Sequence, residues 1–139
     1  MIGISSCLLG VNCKYDGHNN LKEELLYLKD EAILLCPEVL GGLSCPRSPS
    51  EIVNGKVINK DSEDVTKQFM IGAKKALDIC KKNNVDFVIL KSNSPSCGCG
   101  QIYDGTFSKT LIEGDGIFTK LLKENNINCI DDKSFIGGK

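Results

Sequence analysis

The chain has 139 residues, 41% hydrophobic and 25% charged, which is the size and composition of one ordinary globular domain spanning 1–139. Its 17 Lys plus Arg against 18 Asp plus Glu give a net charge of −1, leaving no strongly basic face for duplex nucleic acid. No apolar run reaches the roughly 20 residues of a bilayer span, and no signal-peptide pattern follows Met1, so the expectation is a cytoplasmic protein with no membrane partner.

Ile2 to Ser6 reads as a short buried strand ending in Cys7-Leu8-Leu9-Gly10, and residues 11–20 form a polar loop. Leu21, Leu25 and Leu28 recur at helical spacing among Lys and Glu, predicting a short amphipathic helix over 21–30. Ala32 to Leu35 is a second buried strand, broken by Cys36-Pro37. From Glu38 to Ser50 the prolines together with Gly41 and Gly42 predict a long irregular loop of the functional kind. Residues 52–58 are two strands around an Asn54-Gly55 turn, a hairpin signature.

Asp61 or Ser62 is the expected cap of a helix whose apolar stripe runs Val65, Phe69, Gly72, Ala73, Ala76, Leu77 and Cys80, with Asn83-Asn84 as its stop. Asp86 to Leu90 is the third buried strand. A second rich loop runs from Lys91 to Gly100, and residues 102–109 continue with a turn at Asp104-Gly105. Asp115 to Glu124 reads as a helix and Asn128 to Ile130 as a last strand, with residues 136–139 frayed. Buried strands alternating with helices predict an α/β domain, a small Rossmann-like unit whose mostly parallel sheet carries helices on both faces and a β-hairpin insertion.

In such a sheet ligands bind beyond the carboxyl ends of the strands. Cys7 and Cys36 close the first two strands, and Cys97 lies just past the third. Thiols 29 and 61 residues apart thus converge on one crevice. No C-x-x-C occurs and His18 is the sole histidine, which disfavours a zinc finger or a thioredoxin-type site. Three thiolates from three strand ends suit an iron-sulfur cluster with one iron lacking a protein thiolate. The alternative is three small apolar residues at strand ends.

Cys80 and Cys129 read as packing residues. Cys13, Cys45 and Cys99 share the three cysteine loops and are either spectators, a fourth ligand, a zinc site or a redox pair. Glu38, two residues past Cys36, is the acid/base candidate, against a plain surface carboxylate. Ser94 and Ser96 put hydroxyls beside Cys97, suited to activating or orienting a polar substrate, although Ser-Pro-Ser is also a turn. Arg47, the sole arginine, is a fork for a substrate anion or for an acid of the chain. Gly41 and Gly42 permit close approach of a substrate to the backbone. Tyr15-Asp16-Gly17 recurs as Tyr103-Asp104-Gly105, two turns that each follow a cysteine loop.

Three blocks in order, Ser6-Cys7-Leu8-Leu9-Gly10 with Tyr15-Asp16-Gly17, Cys36-Pro37-Glu38 with Gly41-Gly42-Leu43 and Pro46-Arg47, and residues 91–98 with 102–107, resemble the YbbK-like thiouracil desulfidase family over essentially the whole chain. The resemblance implies a Rossmann-like domain holding a 4Fe-4S cluster on Cys7, Cys36 and Cys97, with Glu38 and Ser94 in proton transfer and substrate activation. It also implies hydrolytic, non-redox removal of sulfur from a thiolated nucleobase or related thio-compound. Two rival readings are a sulfur-handling or redox protein and a metal-free small-molecule-binding module. The latter has neither a phosphate-loop nor a dinucleotide fingerprint behind it.

Overall fold

The computed structural model describes residues 1–138. Strands β1 (Ile2–Ser5), β2 (Ile33–Leu35), β5 (Phe87–Leu90) and β8 (Asn128–Asp131) form one parallel sheet in the order β2-β1-β5-β8. Alternate residues of β5 feed opposite faces, as strand geometry requires. Val88 and Leu90 join Ala73, Ala76, Leu77 and Cys80 of helix α2 (Thr66–Lys82) and Phe118 and Leu122 of α3 (Ile117–Glu124). Ile89 packs the other way, with Leu8, Leu9, Leu25 and Leu28 and, at the margin, Phe135 and Ile136 of α4 (Asp132–Gly137). The expected α/β architecture with both faces covered is the one observed. Among the described residues no helix is long and apolar enough to cross a membrane.

Two antiparallel hairpins stand apart from the sheet, β3 (Ser50–Val53) with β4 (Lys56–Asn59) and β6 (Gln101–Tyr103) with β7 (Leu111–Glu113). The first is the predicted Asn-Gly hairpin. The second was only half visible, because all three residues of β7 are exposed and carry no burial pattern.

Several local expectations need correction. Residues 21–30 hold a 3₁₀ helix over Glu23–Leu28 and not an α-helix, since its buried side chains, Leu25 and Leu28, lie three apart and Leu21 is exposed. The loop after Cys36 opens with a short helix, α1 (Pro37–Leu40), started by a proline at its first position and ended at Gly41. Neither Asp61 nor Ser62 caps α2. Asn59 instead folds that segment into a turn, its carboxamide oxygen accepting the N–H groups of Asp61 and Glu63, and the helix begins after Asp64. The α3 helix starts at Ile117 because Asp115 is engaged by the Gly100 N–H and by Lys123. Residues 136–137 close a helix capped by Asp131 and are not frayed; Lys139 lies outside the described residues.

The chain runs from β1 to β2 on one side, then returns past β1 to β5 on the other. This reversal opens a crevice at the carboxyl ends of β1 and β5, the switch point where open α/β sheets bind ligands.

Candidate active site

A cavity of about 520 Å³ fills that crevice, within the range of small-molecule sites. Each strand end contributes what its last residues dictate: Ser5, Ser6 and Cys7 from β1, Leu35 and Cys36 from β2, Lys91 and Ser92 after β5. Ser94, Ser96 and Cys97 follow on the next loop. The three thiols read from topology therefore line one wall system, and Cys13 joins them.

Cys13 is buried and hydrogen-bonded to both Cys7 and Cys36. Those contacts hold Cys7 below the ordinary thiol value and bring Cys36 down to about 7, whereas Cys13 is pushed far up by the same bonds and keeps its proton. Asn20 Nδ2 donates to Cys7 Sγ at 3.4 Å. Burial pushes the Cys97 thiol up to about 12, against the hydroxyls of Ser5 and Ser96. The Ser94 hydroxyl accepts the Cys97 N–H at 2.7 Å, so the turn that presents this thiol is tied by its own serine.

Glu38 sits on α1 in a closed network. Ser96 Oγ donates to its Oε2 at 2.8 Å, and Ser94 Oγ lies 3.3 Å from Ser96 Oγ. Arg47 Nε donates to Glu38 Oε1 at 3.1 Å, while its terminal nitrogens reach the carbonyls of Ser44 and Cys13 at 3.2 and 2.9 Å. The two side chains are 16% and 9% exposed, which makes this a shielded charge pair and not a surface one. Arg47 thus grips an acid of its own chain.

The glycines have a different place. Neither Gly41 nor Gly42 lines the cavity. A Cβ on Gly41 would lie 2.0 Å from the Gln68 carbonyl oxygen, and one on Gly72 would lie 1.8 Å from that of Pro37. Gly41 therefore lets α1 lie backbone to backbone on α2, while nothing packs within 4 Å of a Cβ at Gly42.

The sequence model of the 2-thiouracil desulfurase family matches residues 2–134. The chain belongs to this family. It is 44% identical over 144 aligned positions to the uncharacterized protein YbbK of Bacillus subtilis (strain 168), covering 95% of each. Among solved structures it resembles the 4Fe-4S-dependent thiouracil desulfidase TudS with a TM-score of 0.91 and 38% identity, over 99% of this chain and 93% of that one.

All eight cysteines of this family member are free thiols. Among the described residues no group of three or more His, Cys, Asp or Glu side chains is arranged to hold a single metal ion. The thiols of Cys7, Cys36 and Cys97 around a cavity this large fit a multi-iron group, whose thiolates are spread over separate irons. The other thiols divide by place. Cys80 is fully buried on α2, as its helical spacing predicted, and burial pushes it up to about 11. Cys45 is exposed, its thiol donating to the carbonyls of Asn12 and Lys14. Cys99 leaves the cavity altogether and hydrogen-bonds Cys129.

The far wall is one the sequence reading missed. Glu51, Tyr103, Phe107 and Lys109 face the cavity from the two hairpins. Tyr103 carried a signal in the repeated Tyr-Asp-Gly; Glu51 did not, since it looked like one polar position of a strand.

Proposed function

We propose that this chain is a hydrolytic desulfidase that converts thiouracil and water to uracil and hydrogen sulfide, using a 4Fe-4S cluster held by Cys7, Cys36 and Cys97. The observation that carries the reading is the meeting of those three strand-end thiols with the Glu38–Ser96–Ser94 network in one cavity. Membership of the 2-thiouracil desulfurase family and the likeness to TudS support it. The whole of residues 1–139 acts as one unit in this reading. Eight free thiols favour a reducing compartment, hence the cytoplasm.

Held by Cys7, Cys36 and Cys97, such a cluster would supply Lewis acidity toward a thiocarbonyl and affinity for soft sulfur. The chain's own groups handle the protons. Glu38 accepts a proton from the attacking water at a carboxylate oxygen and returns it, relayed by the hydroxyls of Ser96 and Ser94, to the departing sulfur, so that both water protons end on hydrogen sulfide. Arg47 fixes the direction of the carboxylate.

Iron, zinc and labile sulfide are to be measured on protein reconstituted without oxygen, beside turnover of 2-thiouracil. About four irons and four sulfides per chain, with uracil formed in the absence of any reductant, are expected. Zinc alone, or no metal, overturns the reading. Serine at Cys7, Cys36 or Cys97 abolishes cluster assembly, whereas Cys80→Ala leaves iron unchanged; equal iron in all four sinks the ligand set. Glu38→Gln retains the cluster and loses about 10²- to 10⁴-fold in rate, and full turnover in that variant removes Glu38 from the mechanism.

A further inference from the structure

Seven non-glycine residues among those described have a left-handed backbone. Five are Asn or Ser, short polar residues found in such turns. The other two, Phe107 at φ 57° and Lys109 at φ 63°, both line the cavity. For a bulky aromatic residue this conformation is an outlier, and it persists only where the surroundings enforce it.

Contacts within the loop and with β3 enforce it. The loop between β6 and β7 closes on itself through Asp104 N–H to the Thr110 carbonyl at 2.9 Å. From below, the buried Glu51 of β3 accepts the N–H groups of Gly105 and Phe107 on one oxygen, at 2.9 and 3.1 Å. Gly105, at φ 94°, lies so close to β3 that a Cβ there would stand 2.9 Å from the Ile52 carbonyl oxygen. The hairpin β3–β4, which contributes no strand to the sheet, thus clamps the loop in its strained form.

Packing does not explain what the strain achieves. Phe107 belongs to none of the three hydrophobic clusters, and no aromatic ring among the described residues stacks on it. It is only half-buried, and the space beside it is the cavity. An aromatic residue lining a cavity wall on an anchored backbone suits the flat face of a heterocycle, because stacking needs no particular hydrogen-bond pattern.

We propose that Phe107 is the stacking wall of the site, held there by Glu51, and that it makes the protein select planar aromatic thiocarbonyl compounds over non-aromatic ones. The proposal rests on the desulfidase reading and goes beyond it by naming the residue that sets which thiocarbonyl is accepted.

The test uses cluster-loaded protein and two readouts. Uracil, a non-reacting probe, is titrated by equilibrium binding, and kcat and KM are measured for 2-thiouracil and for thiourea, a thiocarbonyl without an aromatic ring. Phe107→Leu and Phe107→Gly are expected to weaken uracil binding and raise KM for thiouracil by about 10- to 100-fold, so that the kcat/KM preference for thiouracil over thiourea falls, while Phe107→Tyr, which keeps the ring, restores the binding. Phe107→Gly, free of the backbone penalty, is expected to melt a few degrees higher than wild type, whereas loss of a merely structural ring lowers the melting temperature. Wild-type affinity in the Leu and Gly variants, with wild-type protein turning over thiouracil normally, overturns the stacking wall alone. A wild-type protein that neither binds uracil nor consumes thiouracil overturns the desulfidase reading and this proposal together.

Discussion

Arg47 is the sole arginine, and all three of its side-chain nitrogens are used inside the site. A lysine there offers one compact charge and cannot hold Glu38 Oε1 while also reaching the carbonyls of Ser44 and Cys13. Arg47→Lys therefore lets the carboxylate swing, and a misplacement of about 1 Å is enough to lose on the order of 10²-fold in kcat/KM. Steady-state kinetics beside an iron determination test this, with unchanged iron expected because the guanidinium's hydrogen bonds go to Glu38, Ser44 and Cys13 and a lysine keeps the positive charge near Cys36. The sequence marked Arg47 as a fork for an anion without telling which anion. The anion is 9 residues upstream on α1, a contact that exists only once Gly41 has ended that helix and the loop has turned back.

At the scale of elements, α1 carries Glu38 directly after Cys36, and its position is set from behind by α2. Gly72 is the contact point, since its missing Cβ leaves room for the Pro37 carbonyl. Gly72→Ala forces the two helices apart, at a cost of about 1–3 kcal/mol for overpacking. A lowered denaturant midpoint is expected together with impaired turnover, as α1 shifts Cys36 and Glu38 at once. An unchanged midpoint removes this contact as the determinant of α1. In the sequence Gly72 counted as one small member of an apolar stripe, which is correct for its burial but silent on its use. Elements with a long period or an apolar run, such as α2, β1, β2 and β5, were readable because many residues repeat the same preference, although β2, expected as buried, lies at the sheet edge with Leu34 exposed. The short pieces were not: α1 has four residues and β7 three, and both depend on contacts far along the chain.

For the whole molecule, the parallel order β2-β1-β5-β8 is what brings Cys7, Cys36 and Cys97 to one crevice; the convergence of the thiols followed from alternation of strands and helices, the strand order did not. The opposite wall did not follow, because Glu51 and Phe107 are joined by a hydrogen bond across 56 residues between two hairpins outside the sheet. No local pattern encodes such a meeting. Half of the cavity was therefore legible from strand ends and half only from the folded chain.

The separations of the three strand-end thiols have a mechanical consequence. A group bound to all of them tethers the chain across loops of 29 and 61 residues. By the chain-entropy argument, closing each of these in an unfolded chain is worth on the order of 4 kcal/mol. The inserted group then acts as a three-way cross-link that ties two points near the amino terminus to one in the carboxyl-terminal third of the chain, and its release loosens all of them together. Differential scanning calorimetry of loaded and chelator-stripped protein is expected to show a melting temperature at least about 10 °C higher for the loaded form. Coincident melting of the two forms is incompatible with a group that bridges all three strands.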